Sequence, residues 1–200
     1  MVPSSFSPDG RRLAYHETNP QTGRDLWTVT LDTSGSEPAK VGKPEPFLNT
    51  SINDWHPAFS PDGRWVAHTS DGSGPGEIYV RAFPGPGSKS KISTGGGNNA
   101  TWAPNGRELY FRNADGRIMV TDYTARGDSF VVGKPRVWAD TQTGITSFGR
   151  DFSLSPDGKR FAVTPSREPP PQIGSVHLTF VLNFVDNLRR KMNPSQMTAR

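Results

Sequence analysis

The chain has 200 residues, a formal charge of +4, 21 glycines, 19 prolines and no cysteine. Without thiols there can be no disulfide framework, thiolate metal site or cysteine nucleophile, although the compartment stays open, and so much Gly and Pro suits short strands joined by tight turns. The positive excess is dispersed apart from Arg189-Arg190-Lys191, so no nucleic-acid partner is expected, and no apolar run is long enough to span a membrane.

The first element is a turn that recurs. Phe6-Ser7-Pro8-Asp9-Gly10-Arg11 returns as Phe59-Ser60-Pro61-Asp62-Gly63-Arg64, then as Trp102-Ala103-Pro104-Asn105-Gly106-Arg107 and Leu154-Ser155-Pro156-Asp157-Gly158-Lys159. Proline presets the first corner of a type I turn, Asp or Asn closes it through its side chain, and Gly takes the positive φ that returns the chain to a strand. Each copy therefore predicts a hairpin tip. The motif glycines stand roughly 40 to 55 residues apart, near the period of propeller blades.

A first blade is expected over about residues 5–50. Leu13-Ala14-Tyr15 follows the tip, Asp25 to Leu31 alternates as a third strand, and Glu45 to Thr50 supplies an outer edge that tolerates proline. A second, over 55–95, runs from Trp55-His56-Pro57-Ala58-Phe59 through Trp65 to His68 and Glu77 to Phe83, as far as the Gly95-Gly96-Gly97 break. A third, over 99–142, takes Leu109-Tyr110-Phe111 and Arg117 to Thr121 as inner strands, and its outer stretch Val132 to Thr141 echoes Val41 to Thr50. The fourth, over 149–185, is partial: a hairpin of Phe152-Ser153-Leu154 and Arg160 to Val163, then a strand over His177 to Leu182. Val185, Leu188 and Met192 at helical spacing predict a short amphipathic helix and a disordered tail over 186–200. The fold class expected is all-β: a β-propeller of four-stranded antiparallel blades, three full and one partial, forming an open arc of a larger ring.

These repeats resemble the TolB-like (WD40-like, PD40) β-propeller family, whose blades carry a Ser-Pro-Asp-Gly turn between their first and second strands; three copies keep it whole and the third reads Ala103-Pro104-Asn105-Gly106. Asp25-Leu26-Trp27, the run Tyr79 to Gly87, Ile92 to Gly96 and Leu182-Asn183-Phe184 further resemble the C-terminal propeller part of bacterial proteins in which a serine/threonine kinase or winged-helix domain comes first. The resemblance implies a non-catalytic protein- or ligand-binding module, the sensor or scaffold portion of a larger signalling protein. The alternative is the regulatory or substrate-gating propeller of an enzyme, a kinase or a prolyl-oligopeptidase-type peptidase. It also implies partners in upstream blades or in self-association, since an arc leaves blade faces bare.

No kinase loop, Gly-x-Ser-x-Gly elbow or phosphate loop occurs, and His16, His56, His68 and His177 lack metal-ligand spacing, so no catalytic, cofactor or metal residues are expected. His68 and His177 are read as half-buried strand residues. Asp9, Asp62, Asn105 and Asp157 are accounted for by their turns. The opposite face, formed by loops before first strands and between second and third, is left for recognition. Trp55, His56, Asn98, Asn99, Arg150 and Asp151 are its expected partner-binding residues, with Arg24 among those that the loops between second and third strands add to the face. Met1-Val2-Pro3-Ser4-Ser5 has no signal-peptide pattern, so the chain as written reads as cytoplasmic, with extracytoplasmic placement requiring a membrane-anchored parent.

Overall fold

The computed structural model describes residues 1–32, 34–35, 40–85, 87–144 and 152–164. Every regular element among them is a strand. The first sheet is an antiparallel meander of β1 (Val2–Phe6), β2 (Arg12–Asn19), β3 (Gly23–Asp32) and β4 (Lys40–Leu48). The second repeats that order with β5 (Asp54–Phe59), β6 (Trp65–Ser70), β7 (Glu77–Ala82) and β8 (Lys89–Lys91).

The third sheet carries an extra strand. Inner strands β9 (Gly97–Trp102) and β10 (Glu108–Asn113) lead to the ten-residue β11 (Arg117–Arg126), whose outer edge is shared by β12 (Ser129–Val132) and β13 (Arg136–Gln142). β11 outruns β10: beyond Asp122, the last residue to pair with β10, Tyr123 to Arg126 pair with β12, whereas Arg117 to Val120 pair with β13. The single outer strand expected here is therefore two. Of the fourth unit, the hairpin of β14 (Phe152–Leu154) and β15 (Phe161–Val163) is described; the expected strand at His177 to Leu182, the helix and the tail lie outside the described residues.

Each tip closes as its chemistry dictates. In the first, the Ser7 hydroxyl donates to Asp9 Oδ1 at 2.6 Å and accepts the Arg12 N–H at 2.9 Å, while Asp9 also accepts the Arg11 N–H and Gly10 sits at φ +69°. Ser60-Asp62-Trp65 and Ser155-Asp157-Arg160 repeat this lock. The third tip has Ala103 and so no hydroxyl; Asn105 still accepts the Arg107 N–H at 2.9 Å.

The sheets stack in series through alternating faces. Ala14 of the first meets Phe59 and Val66 of the second. On the other side of the second sheet, Ala58, Trp65, Ala67, Ile78 and Val80 meet Trp102, Leu109 and Phe111 of the third. The third in turn sets Tyr110, Ile118 and Val120 against Phe152 and Phe161. The result is a partial propeller. The first and second tips touch, as do the third and fourth, since a Cβ on Gly63 would lie 3.3 Å from Pro8 and one on Gly158 would lie 3.6 Å from Pro104, whereas one on Gly106 would meet only Tyr123, at 3.9 Å.

Candidate functional site

The loops opposite the tips are stitched together by Asn53, which precedes β5. Its Oδ1 accepts the Arg24 N–H at 2.9 Å, and its own backbone N–H and side-chain amide donate to the two oxygens of Asp71, in the β6–β7 loop, at 2.9 and 2.8 Å. One face thus gathers the loops before first strands and those between second and third, as the meander geometry predicts.

Behind these loops both inner strands bulge at the same place. His56 and Asn99 each stand three residues before the aromatic of their motif, and among the described residues they are the non-glycine positions with positive φ, +52° and +55°. Pairing skips there, between Trp55 and Ala58 on β5 and between Asn98 and Thr101 on β9. Asn and His are among the residues that best tolerate this conformation, and a bulge re-aims the side chains beside it.

The bulges bring four of the expected site residues together around one atom. Asn98 Oδ1 accepts the Trp55 indole N–H at 3.2 Å, the Thr69 hydroxyl at 3.0 Å and the Asn99 backbone N–H at 2.9 Å, and lies 3.1 Å from His56 Nδ1. Trp55 and His56 remain partly exposed, whereas Asn99 is 2% exposed and supports the bulge from inside. Arg150 and Asp151 lie outside the described residues.

Two further side chains complete this corner: Arg24, which the meander places on this face, and His16, which no sequence signal assigns to it. The exposed Arg24 places its guanidinium 5.4 Å from the centre of the Trp55 ring, within cation–π range. His16, on β2, meets His56 edge to face with centroids 5.4 Å apart. Burial holds the His16 imidazole down at about 4, with the His56 and Arg24 charges adding to the shift, so it is neutral near pH 7. Both contacts cross from the first sheet to the second, a proximity that only the blade stacking creates.

His68, expected to be half-buried, is fully buried. Its Nε2 is 3.5 Å from Asp54 Oδ1, and burial followed by the Arg81 and Lys89 charges holds it down at about 3. The same burial raises Asp54. This pair sits inside the second sheet's packing and offers no surface. Among the described residues no group of three or more His, Cys, Asp or Glu is gathered, and no helix is long and apolar enough to cross a membrane.

No family model matches the chain, and no curated protein matches it. Solved structures do. A protein assigned as TolB in Agrobacterium tumefaciens superposes with a TM-score of 0.61 at 23% identity, over 80% of this chain and 56% of that one. TolB from Acinetobacter baumannii gives 0.56 at 22% identity, over 83% of this chain and 38% of its own. The chain spans little more than half of the first and well under half of the second, and the likeness is one of fold.

Proposed function

We propose that this arc of TolB-like propeller blades is a non-catalytic recognition module that binds a protein partner through the face carrying Arg24, Trp55 and His56. One observation carries the reading. The partly exposed Trp55 indole is fixed by the Asn98 hub with the exposed Arg24 guanidinium over its ring, and aromatic and Arg side chains mounted on a folded scaffold are favoured anchors for partners. Arg150 and Asp151 belong to the same proposed surface on the register of the repeats. The blade limits near 5–50, 55–95, 99–142 and 149–185 are proposed on the same grounds.

The resemblance of the sequence to propellers that follow kinase or winged-helix domains supports placing the module in a bacterial signalling protein, as its sensor or scaffold. Kinase or hydrolase motifs in the flanking coding sequence would instead favour the regulatory or gating part of an enzyme.

The test is site-specific photocrosslinking in the source cells. A photoreactive residue at position 24 or 56 is expected to trap a discrete protein partner, and one at position 9 or 105, on the tip face, is expected to trap none. Crosslinks confined to the tip positions would overturn the assignment of the face.

A further inference from the structure

The second and third tips are held apart where the other tips touch. At the first and third joints a glycine rests on the proline of the preceding tip, but at the second a Cβ on Gly106 would meet only the Tyr123 hydroxyl, at 3.9 Å. The cause is the overhang of β11. Tyr123 to Arg126 run on beyond the last pair with β10, and β12 folds back beside them to set Phe130 against both Trp65 and Trp102. A cleft of about 670 Å³ remains between the tips, lined by Asp62, Pro104, Arg107 and the run Asp122 to Ala125. That volume is in the range of small-ligand sites.

Within the cleft the overhang shows a short open backbone edge. On the side that β10 has left, the outward groups belong to every second residue. The Tyr123 N–H donates to the Arg107 carbonyl at 2.9 Å, and the Gly127 carbonyl accepts from the Arg64 guanidinium, so both ends of the edge are closed. Between them stands Ala125, whose N–H and C=O have no partner among the described residues. Such groups are a template for one more stretch of backbone. Charges of both signs flank them. Asp62 Oδ1 accepts the Ser60 hydroxyl and the Arg64 N–H, while its Oδ2 has no partner among the described residues, and Arg107 is exposed. Burial, with the Asp62 charge adding to it, pushes the Tyr123 hydroxyl up to about 12, so it stays a neutral donor.

We propose that this cleft binds a short free peptide, one residue of which pairs with Ala125 as an added strand while its ammonium end meets Asp62 and its carboxylate end Arg107. The closed ends of the edge decide the occupant. They leave a single pairing position, too little for a strand of a folded partner, and a backbone amide between two opposite charges is what a short free peptide carries and a lone amino acid does not. The site lies on the tip face and is independent of the partner at Arg24 and Trp55. A ligand this small leaves no protein crosslinked at position 105.

Isothermal titration of the whole chain with trialanine tests this. Saturable binding is expected, and binding at least about tenfold weaker for N-acetyl-trialanine amide, which lacks both end charges. Ala125→Pro removes an N–H that has no partner among the described residues and is expected to abolish binding. Asp62→Asn keeps the Oδ1 that closes the tip but removes the charge, and is expected to weaken trialanine at least about tenfold. Asp9→Asn, the same change at the first tip, is expected to bind as the intact chain does. Near-ultraviolet dichroism checks that each variant keeps its native packing, and Asp62→Asn decides the matter if Ala125→Pro does not fold. No saturable heat from the intact chain overturns the proposal. So does equal binding of the free and blocked peptides, binding that survives both cleft variants, or an equal loss in Asp9→Asn.

Discussion

At the scale of single residues, the repeated serine does more than shape a turn. Ser60 is 1% exposed, and its oxygen is the side-chain acceptor for the Trp65 N–H. Ser60→Ala is expected to cost about 1–3 kcal/mol by leaving that donor unpaired, and Ser7→Ala less because water reaches the first tip; urea titration of both variants checks the order. The histidines set the acid response. His16 and His68 are neutral when folded and have ordinary values of 6.5 when unfolded. Their contribution is therefore full above about pH 6.5 and falls as pH drops toward about 4 and then about 3. Asp9 and Asp157, lowered by their Ser hydroxyls and backbone N–H groups, lose theirs below the ordinary carboxylate value of 3.8, while the raised Asp54 works in the opposite direction. Thermal melts are expected to show stability declining from pH 6.5 to 4, with a shallower decline in His16→Gln.

At the scale of elements, the bulge in β5 and the extra strand β12 deserve separate tests. His56 holds φ +52°, where a β-branched side chain is strained. His56→Val is expected to be less stable than His56→Gly by about 1–2 kcal/mol, read from paired melts, with both variants losing the ring contact to His16. Phe130 of β12 is 9% exposed and packs 5.0 Å from Trp65, 6.0 Å from Trp102 and 5.1 Å from Tyr123. Phe130→Ala is expected to cost about 3–5 kcal/mol and to shift the fluorescence of those tryptophans to the red. The four tips and most strands were legible in the sequence because each rests on local chemistry: a proline, an Asx side chain, a glycine, then alternating apolar residues. β12 was not, since Ser129-Phe130-Val131-Val132 is short and its partner is the overhang of a strand whose length only the fold sets. The Asn98 hub was legible only as a location. Trp55, His56, Asn98, Asn99 and Arg24 follow from the meander as positions on one face, but the convergence on one oxygen, and the contacts of Arg24 with Trp55 and of His16 with His56, depend on packing across sheets.

At the scale of the whole molecule, blades that touch only their neighbours make stability a sum of units and joints. The second sheet is packed on both faces, and β6 is buried along its whole length. Hydrogen exchange is therefore expected to be slowest in β6 and β7 and faster in β1 and β14; uniform protection across all four units would instead mark one cooperative block. The propeller arc was legible because repetition multiplies a weak local signal, whereas the packing of one blade on the next became visible only when equivalent residues could be compared for burial. The Pro8–Gly63 and Pro104–Gly158 contacts have a genetic consequence. A blade that brings both its proline and its glycine carries a complete joint in one stretch of coding sequence, so duplication or loss of that stretch in frame changes the length of the arc without requiring compensating mutations elsewhere. Lineages of such genes should then differ by whole blades more readily than by fractions of one.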